Sequence, residues 1–194
     1  MNSILFIRHA ETDLAGTFCG HTDPRLNGRG RQQAAALAIK LDGTPIHAIY
    51  ASDLQRAHAT AQAIADRKGL VCQLRPAFRE IHFGSWEGLT WTEIEQLDPH
   101  FAALWARDFP TLPAPGGERF SDFEARVLKA VAELPTVPAL PIAVVTHAGV
   151  LRVILNRLCG VTPQLAWERT RHFCSVVHYP PVQQPPIQST IHNP

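Results

Sequence analysis

Two short apolar runs, Ile4-Leu5-Phe6-Ile7 and Ile142-Ala143-Val144-Val145, each stop dead at a histidine-bearing polar sequence. Neither alternates with polar residues, so neither suits a strand with one wet face. Runs of this length and kind read as strands buried on both sides, the pattern of a parallel sheet covered by helices. The rest of the chain alternates accordingly. Residues 48–51 and 71–74 form two further strand candidates, and 174–179 a last one. The stretch opening at Asn27 repeats apolar residues at Ala34, Leu37, Ala38 and Leu41, with Gly43 just beyond, which is the spacing and punctuation of a helix. Ser52 stands where an N-cap of the next helix would stand, ahead of Ala61, Ile64 and Ala65. Residues 92–97 and 101–108 read as two short helices before a Pro- and Gly-rich break from Pro110 to Gly117. Phe120, Phe123, Val127, Ala130, Val131 and Leu134 then make one continuous helical stripe, and residues 150–158 a helix after the 142–145 strand. The fold class expected is α/β, a three-layer αβα sandwich around a mostly parallel sheet. One domain over residues 1–179 accounts for this pattern, followed by a Pro-rich tail at 180–194.

In a sheet of this type ligands sit beyond the carboxyl ends of the strands, so the residues after each strand are the ones to weigh. After residues 4–7 come Arg8-His9. After 48–51 comes Ser52-Asp53-Leu54-Gln55-Arg56, and after 142–145 comes Thr146-His147-Ala148-Gly149. The loop after 71–74 adds Arg79-Glu80-Ile81-His82-Phe83-Gly84-Ser85-Trp86-Glu87-Gly88, with two carboxylates. Each residue alone has an ordinary structural reading: a surface Arg-His pair, a helix-start histidine, an ion-paired arginine, a loop carboxylate, core aromatics. Two cations and two imidazoles converging on one end of a sheet have none, because buried charge needs a partner. A phosphate group is such a partner.

The chemistry closes without a metal or cofactor. A neutral imidazole is a competent nucleophile when its other nitrogen donates to a carbonyl. Arg8 and Arg56 bring planar, permanently charged forks to phosphate oxygens, and a protonated His147 adds another donor. A carboxylic acid, Glu80 or Glu87, protonates the leaving oxygen. The ten histidines show no H-x-H or H-E-x-x-H spacing, so a zinc hydrolase is disfavoured. Cys19, Cys72, Cys159 and Cys174 form no C-x-x-C, which reads as reduced thiols. The net charge of +1 carries no basic block that would suit nucleic acid. The first apolar run is too short for a signal core or a membrane span, so no membrane is expected and the location expected is cytoplasmic.

These residues resemble a known family. Arg8-His9-Ala10-Glu11-Thr12 is similar to the Arg-His-Gly-Glu-Thr hallmark of the histidine phosphatases, the phosphoglycerate-mutase-like superfamily. Further along, Gly20-His21-Thr22-Asp23-Pro24-Arg25-Leu26, Ala51-Ser52-Asp53-Leu54-Gln55-Arg56-Ala57, the Glu80–Gly88 loop and Thr146-His147-Ala148-Gly149 match its later motifs in order. The resemblance implies that His9 becomes phosphorylated, that Arg8, Arg56 and His147 bind the phosphate, and that Glu80 rather than Glu87 is the proton donor. It implies substrate contacts at Cys19, Gly20 and Ala148. Two departures stand out. Ala10 replaces a glycine, a methyl of little consequence. The family's phosphate-binding Asn has no counterpart in Asp13-Leu14-Ala15-Gly16-Thr17, where Thr17 or a backbone amide is the candidate replacement. No basic cluster follows Gly88, and Arg107 is the first cation there, which disfavours a mutase. Trp86-Glu87-Gly88, Pro115-Gly116-Gly117-Glu118 and Phe123-Glu124-Ala125-Arg126-Val127 resemble the α-ribazole phosphatases within the phosphatase branch. The expected activity is hydrolysis of a small phosphate monoester through phosphohistidine. The competing readings are a phosphoglycerate-type mutase and a non-catalytic phospho-ligand binding domain.

Overall fold

The computed structural model describes residues 3–135 and 141–180. Five strands, β1 (Ile4–Arg8), β2 (Ala48–Ala51), β3 (Cys72–Leu74), β4 (Ile142–Thr146) and β5 (Val176–Tyr179), form one sheet in the order β3-β2-β4-β1-β5. The first four run parallel and β5 closes the edge antiparallel to β1. The two apolar runs that opened the sequence are its adjacent central strands, every side chain of residues 4–7 and 142–145 being buried.

Alternate residues of these strands feed two separate cores, as the pleat requires. Leu5, Ile7, Ile49, Ala51, Ala143 and Val145 face α1 (Gly28–Lys40) and α2 (Gln55–Lys68). Ile4, Phe6, Tyr50, Ile142 and Val144 face α5 (Phe120–Ala132), α6 (Ala148–Cys159) and α7 (Pro163–Thr170). This is the expected three-layer sandwich. Between β3 and α5, a 3₁₀ turn at Gly84–Trp86 and the helices α3 (Trp91–Leu97) and α4 (Pro99–Asp108) gather Trp86, Ile94, Ala102 and Ala114 with Phe18, Phe83, Trp91, Phe101 and Trp105 into a third, aromatic cluster. Among the described residues no helix is long and apolar enough to cross a membrane. The four cysteines are unpaired.

Several local expectations shift. Asn27 does cap α1, its side chain accepting from Gly30 N at 2.7 Å. Ser52 does not cap α2, which starts at Gln55 behind Leu54 with no side-chain cap. The helix after β4 begins two residues earlier than its apolar pattern, at Ala148. The sequence reading contained no helix at α7, whose start is a Thr162 N-cap followed by Pro163. The Pro-rich tail lies outside the described residues beyond Pro180.

Candidate active site

Register brings the strand ends level. Arg8 is opposite Thr146 and Ala51 opposite Val145, and the ladder continues one step further, with His9 N donating to Thr146 O and Ser52 N to Val145 O, both at 2.9 Å. His9, Ser52 and His147 therefore leave the sheet side by side. The His9 and His147 rings are 5.1 Å apart between centroids. Arg56, one residue into α2, is only 1% exposed, and Arg8 lies over the Phe173 ring at 4.3 Å.

His9 has a defined tautomer. Its Nδ1 is 2.7 Å from the Ala10 carbonyl, which can only accept, so Nδ1 carries the proton and Nε2 is the free base. Burial, then the neighbouring Arg56 and Arg8 charges, hold the ring well below the usual imidazole pKa, against a smaller upward pull from the Ala10 bond. Ala10 itself is buried against Leu26 and Ala34, so the extra methyl is simply packed. Its N–H donates to Thr60 Oγ1 at 3.0 Å, and the Thr60 hydroxyl donates to the Arg56 carbonyl, tying the residue after His9 to the arginine helix.

Both arginines are clamped by backbone carbonyls. Arg8 Nη1 donates to Thr170 O and Arg171 O; Arg56 donates from Nη1 to Thr22 O and from Nη2 to Cys19 O and Gly20 O. Burial lowers Arg8 to a pKa of about 10, which still leaves it charged at neutral pH. What the clamps leave over is informative. Among the described residues four buried side-chain polar atoms have no partner, and three of them are Arg8 Nε, Arg56 Nε and His147 Nδ1. Orphaned buried polar atoms are costly and rare, and these three belong to residues gathered around the His9 ring. His147 is fully buried, and burial, followed by Arg56, His9, Arg8 and Arg126, holds it well below the usual imidazole range. These surroundings favour the neutral ring over the protonated form in which His147 would add a charged donor.

The two carboxylates separate clearly. Glu80 lines the same cavity as His9, with Oε2 accepting from Gly149 N at 2.9 Å and Oε1 from Ile81 N at 3.0 Å. Its backbone carbonyl is gripped by His21 Nε2 and by Arg126. Arg126 also donates to Ala77 O and Arg79 O and pairs with Glu118, so the Gly-Gly-Glu and Arg126 motifs act as a clasp on the acid loop. Glu87 is spent on structure: it accepts from His21 N, Thr22 N, Thr22 Oγ1 and Phe83 N. Burial pushes its pKa up, but those bonds outweigh it and the net shift is downward.

The cavity, about 280 Å³, is also lined by Cys19, Ala148, Thr17, Leu14, Phe18, Phe83, Trp91, Phe173 and Arg152. Cys19 and Ala148, where the resemblance implies substrate contacts, both line this cavity. Gly20 reaches the site only through its carbonyl on Arg56; a Cβ there would strike Glu87 Oε1 and the Ile81 carbonyl. Thr17 does not stand in for the missing Asn, because its hydroxyl donates to Leu14 O at 2.9 Å. The sequence reading missed Arg152 and Phe173. Arg152 falls one helical turn after Ala148, a spacing that could have flagged it; Phe173 lies in irregular chain with no local signal. Among the described residues no group of three or more His, Cys, Asp or Glu side chains gathers as a metal site.

An αβα sandwich with paired histidines and arginines at its strand ends defines a class of phosphate-handling α/β proteins. The chain belongs to the histidine phosphatase superfamily (branch 1), whose sequence pattern matches residues 4–184. It is 32% identical over 164 residues to the adenosylcobalamin/alpha-ribazole phosphatase of Escherichia coli K12, covering 83% of this chain and 81% of that protein. It is 33% identical over 162 residues to the glucosyl-3-phosphoglycerate phosphatase of Mycobacterium tuberculosis, covering 78% of this chain and 72% of the relative. Among solved structures, the alpha-ribazole phosphatase of Shigella flexneri superposes with a TM-score of 0.77 at 30% identity, over 86% of this chain and 84% of that one. The mycobacterial glucosyl-3-phosphoglycerate phosphatase in complex with VO3 gives 0.79 at 29% identity, over 92% and 90%.

Proposed function

We propose that the protein is a phosphomonoesterase in which His9 Nε2 attacks the phosphorus of a small phosphate ester. The observation that carries this is the cradle: Arg8 Nε, Arg56 Nε and His147 Nδ1, buried and without protein partners, beside an imidazole whose Nε2 lone pair is free. In the first step the Nε2–P bond forms as the ester P–O bond breaks, and Glu80 as the carboxylic acid gives its proton to the departing alkoxide. The guanidinium donors offset charge on the equatorial oxygens, as phosphoryl transfer requires. In the second step the Glu80 carboxylate takes a proton from water, whose oxygen displaces His9 from phosphorus and releases phosphate. Pinning of His9 Nδ1–H on Ala10 keeps the nucleophile in one orientation through both steps.

The walls support a choice of ester. Phe18, Phe83 and Trp91, in mutual ring contact, give the cavity an aromatic part of its lining, which suits a leaving group carrying a flat apolar ring, as α-ribazole 5′-phosphate does. Arg107, the cation a mutase reading would recruit, is exposed and paired with Asp108. The test is a panel of phosphomonoesters with and without chelator, including α-ribazole 5′-phosphate, glucosyl-3-phosphoglycerate, 3-phosphoglycerate and fructose bisphosphates. Chelator-resistant phosphate release with the ring-bearing ester favoured by kcat/KM supports the reading. Phosphoglycerate isomerisation primed by a bisphosphate, or ester binding without turnover, overturns it.

A further inference from the structure

Ser52 is the feature of the site that neither the chemistry above nor the helix it precedes accounts for. It is fully buried, as is His147. The two meet because β2 and β4 are neighbours in register, so the residue after Ala51 lies against the residues after Val145. Ser52 Oγ is 2.9 Å from His147 Nε2, and it also accepts from Leu54 N at 3.3 Å.

Counting protons fixes the direction of the first bond. A hydroxyl has one proton to give, and the Leu54 N–H already occupies one of the Ser52 lone pairs. His147 Nε2 is the acceptor the structure provides for the Ser52 hydroxyl; the reverse arrangement, with Nε2–H donating, would strand a buried hydroxyl proton. With Nε2 accepting, a neutral His147 must carry its proton on Nδ1. That nitrogen is one of the buried atoms without a partner, as are the Nε atoms of Arg8 and Arg56. The other tautomer would turn a lone pair, not an N–H, toward phosphate oxygens.

We propose that Ser52 is a positioning residue that selects the Nδ1–H tautomer of His147, so that a neutral ring serves as a phosphate donor. The inference rests on the reading of His147 as part of the phosphate cradle. Neutrality is consistent with the surroundings: Arg56 and Arg8 both face the ring, and burial opposes a further charge. A ring that cannot afford to be protonated can still donate, provided a neighbour dictates which nitrogen holds the hydrogen.

The test is long-range ¹H–¹⁵N correlation on histidine-labelled protein, with the His147 signals identified by their loss in His147→Gln. The expected wild-type pattern is a protonated Nδ1 and an imine-type Nε2, and Ser52→Ala should shift His147 toward protonated Nε2 or a mixture. Kinetically, Ser52→Ala should lower kcat by roughly 10- to 100-fold with a smaller change in KM, less than the roughly 100- to 1,000-fold lost when an oxyanion donor is removed outright, because the ring itself stays. Ser52→Cys keeps the volume with a weaker donor and should fall between the two, which guards against a packing artefact. A wild-type His147 protonated on Nε2, or an unchanged tautomer in Ser52→Ala, overturns the proposal even if His147 is essential. Wild-type turnover in His147→Gln would instead overturn the cradle reading itself.

Discussion

Gly149→Ala is the substitution that most cleanly separates the acid from the rest of the machinery. Gly149 lies in the first turn of α6, and its N–H holds Glu80 Oε2. A Cβ built on Gly149 falls on Glu80 Oε1, and at 3.0 Å from Cδ and 3.3 Å from Oε2. The obstructed atoms are the tip of a side chain, so the backbone has no need to move and the carboxyl must. Restoring ordinary contact takes a retreat of roughly 1 Å, a displacement that can cost about 100-fold in rate. The fold should not suffer, since Ala is favoured over Gly in a helix by about 1 kcal/mol. The assay compares kcat/KM, which reports the phosphorylation step, for an alkyl phosphate and p-nitrophenyl phosphate. The alkyl ester needs a proton on its leaving oxygen, and the nitrophenolate does not. The expected result is a loss near 100-fold on the alkyl ester and tenfold or less on the aryl ester. Equal losses on both, or none on either in a folded variant, would refute the assignment of Glu80 as the acid.

Arg126→Ala should open the clasp on the acid loop, removing donors to Ala77, Arg79 and Glu80 carbonyls along with the Glu118 pair. A loss of about 2 kcal/mol, seen as a lower Tm, is expected for a partly exposed charge-assisted network, together with an alkyl-selective fall in kcat/KM. The pH dependence of kcat/KM should keep its acid limb below 6.5 once the ester's own ionisation near about 6 is corrected for, because burial, Arg56 and Arg8 keep His9 neutral to lower pH; a limb at or above the ordinary histidine value would contradict this. The same shifts set a stability trend. His9 and His147 have folded pKa values below their unfolded ones, so below about pH 6.5 the unfolded chain binds protons that the native chain refuses, and stability falls with pH until the folded values are reached. Thermal melts from pH 7 to 5 should show this drop, and a His9→Gln/His147→Gln double variant should flatten it.

The parts of this site that were legible in the sequence are those where local pattern and topology coincide. Uninterrupted apolar runs ending in Arg8-His9 and Thr146-His147 announced central strands, and the strand-end rule then converged their neighbours. The residues it failed to read depend on contacts across the fold. Ser52 looks like a cap because a serine precedes a helix, yet its hydroxyl is taken by a histidine 95 positions away. Glu80 and Glu87 are equivalent in a loop until the Gly149 amide and the Thr22 amide claim one each. The antiparallel direction of β5 leaves no mark in four residues, Val176–Tyr179, of which one is buried, two half-buried and one exposed. The α7 helix is short and carries no long apolar stripe, so its Thr162-Pro163 start is the main local sign of it.

The central claim is that phosphate passes through His9, and trapping that intermediate tests it most directly. Rapid quench with a ³²P-labelled ester, followed by peptide mapping, should find one acid-labile, alkali-stable phosphate on the peptide carrying His9, absent from His9→Ala along with turnover. Label on another residue, or full turnover without a phosphoenzyme in His9→Ala, would contradict the account.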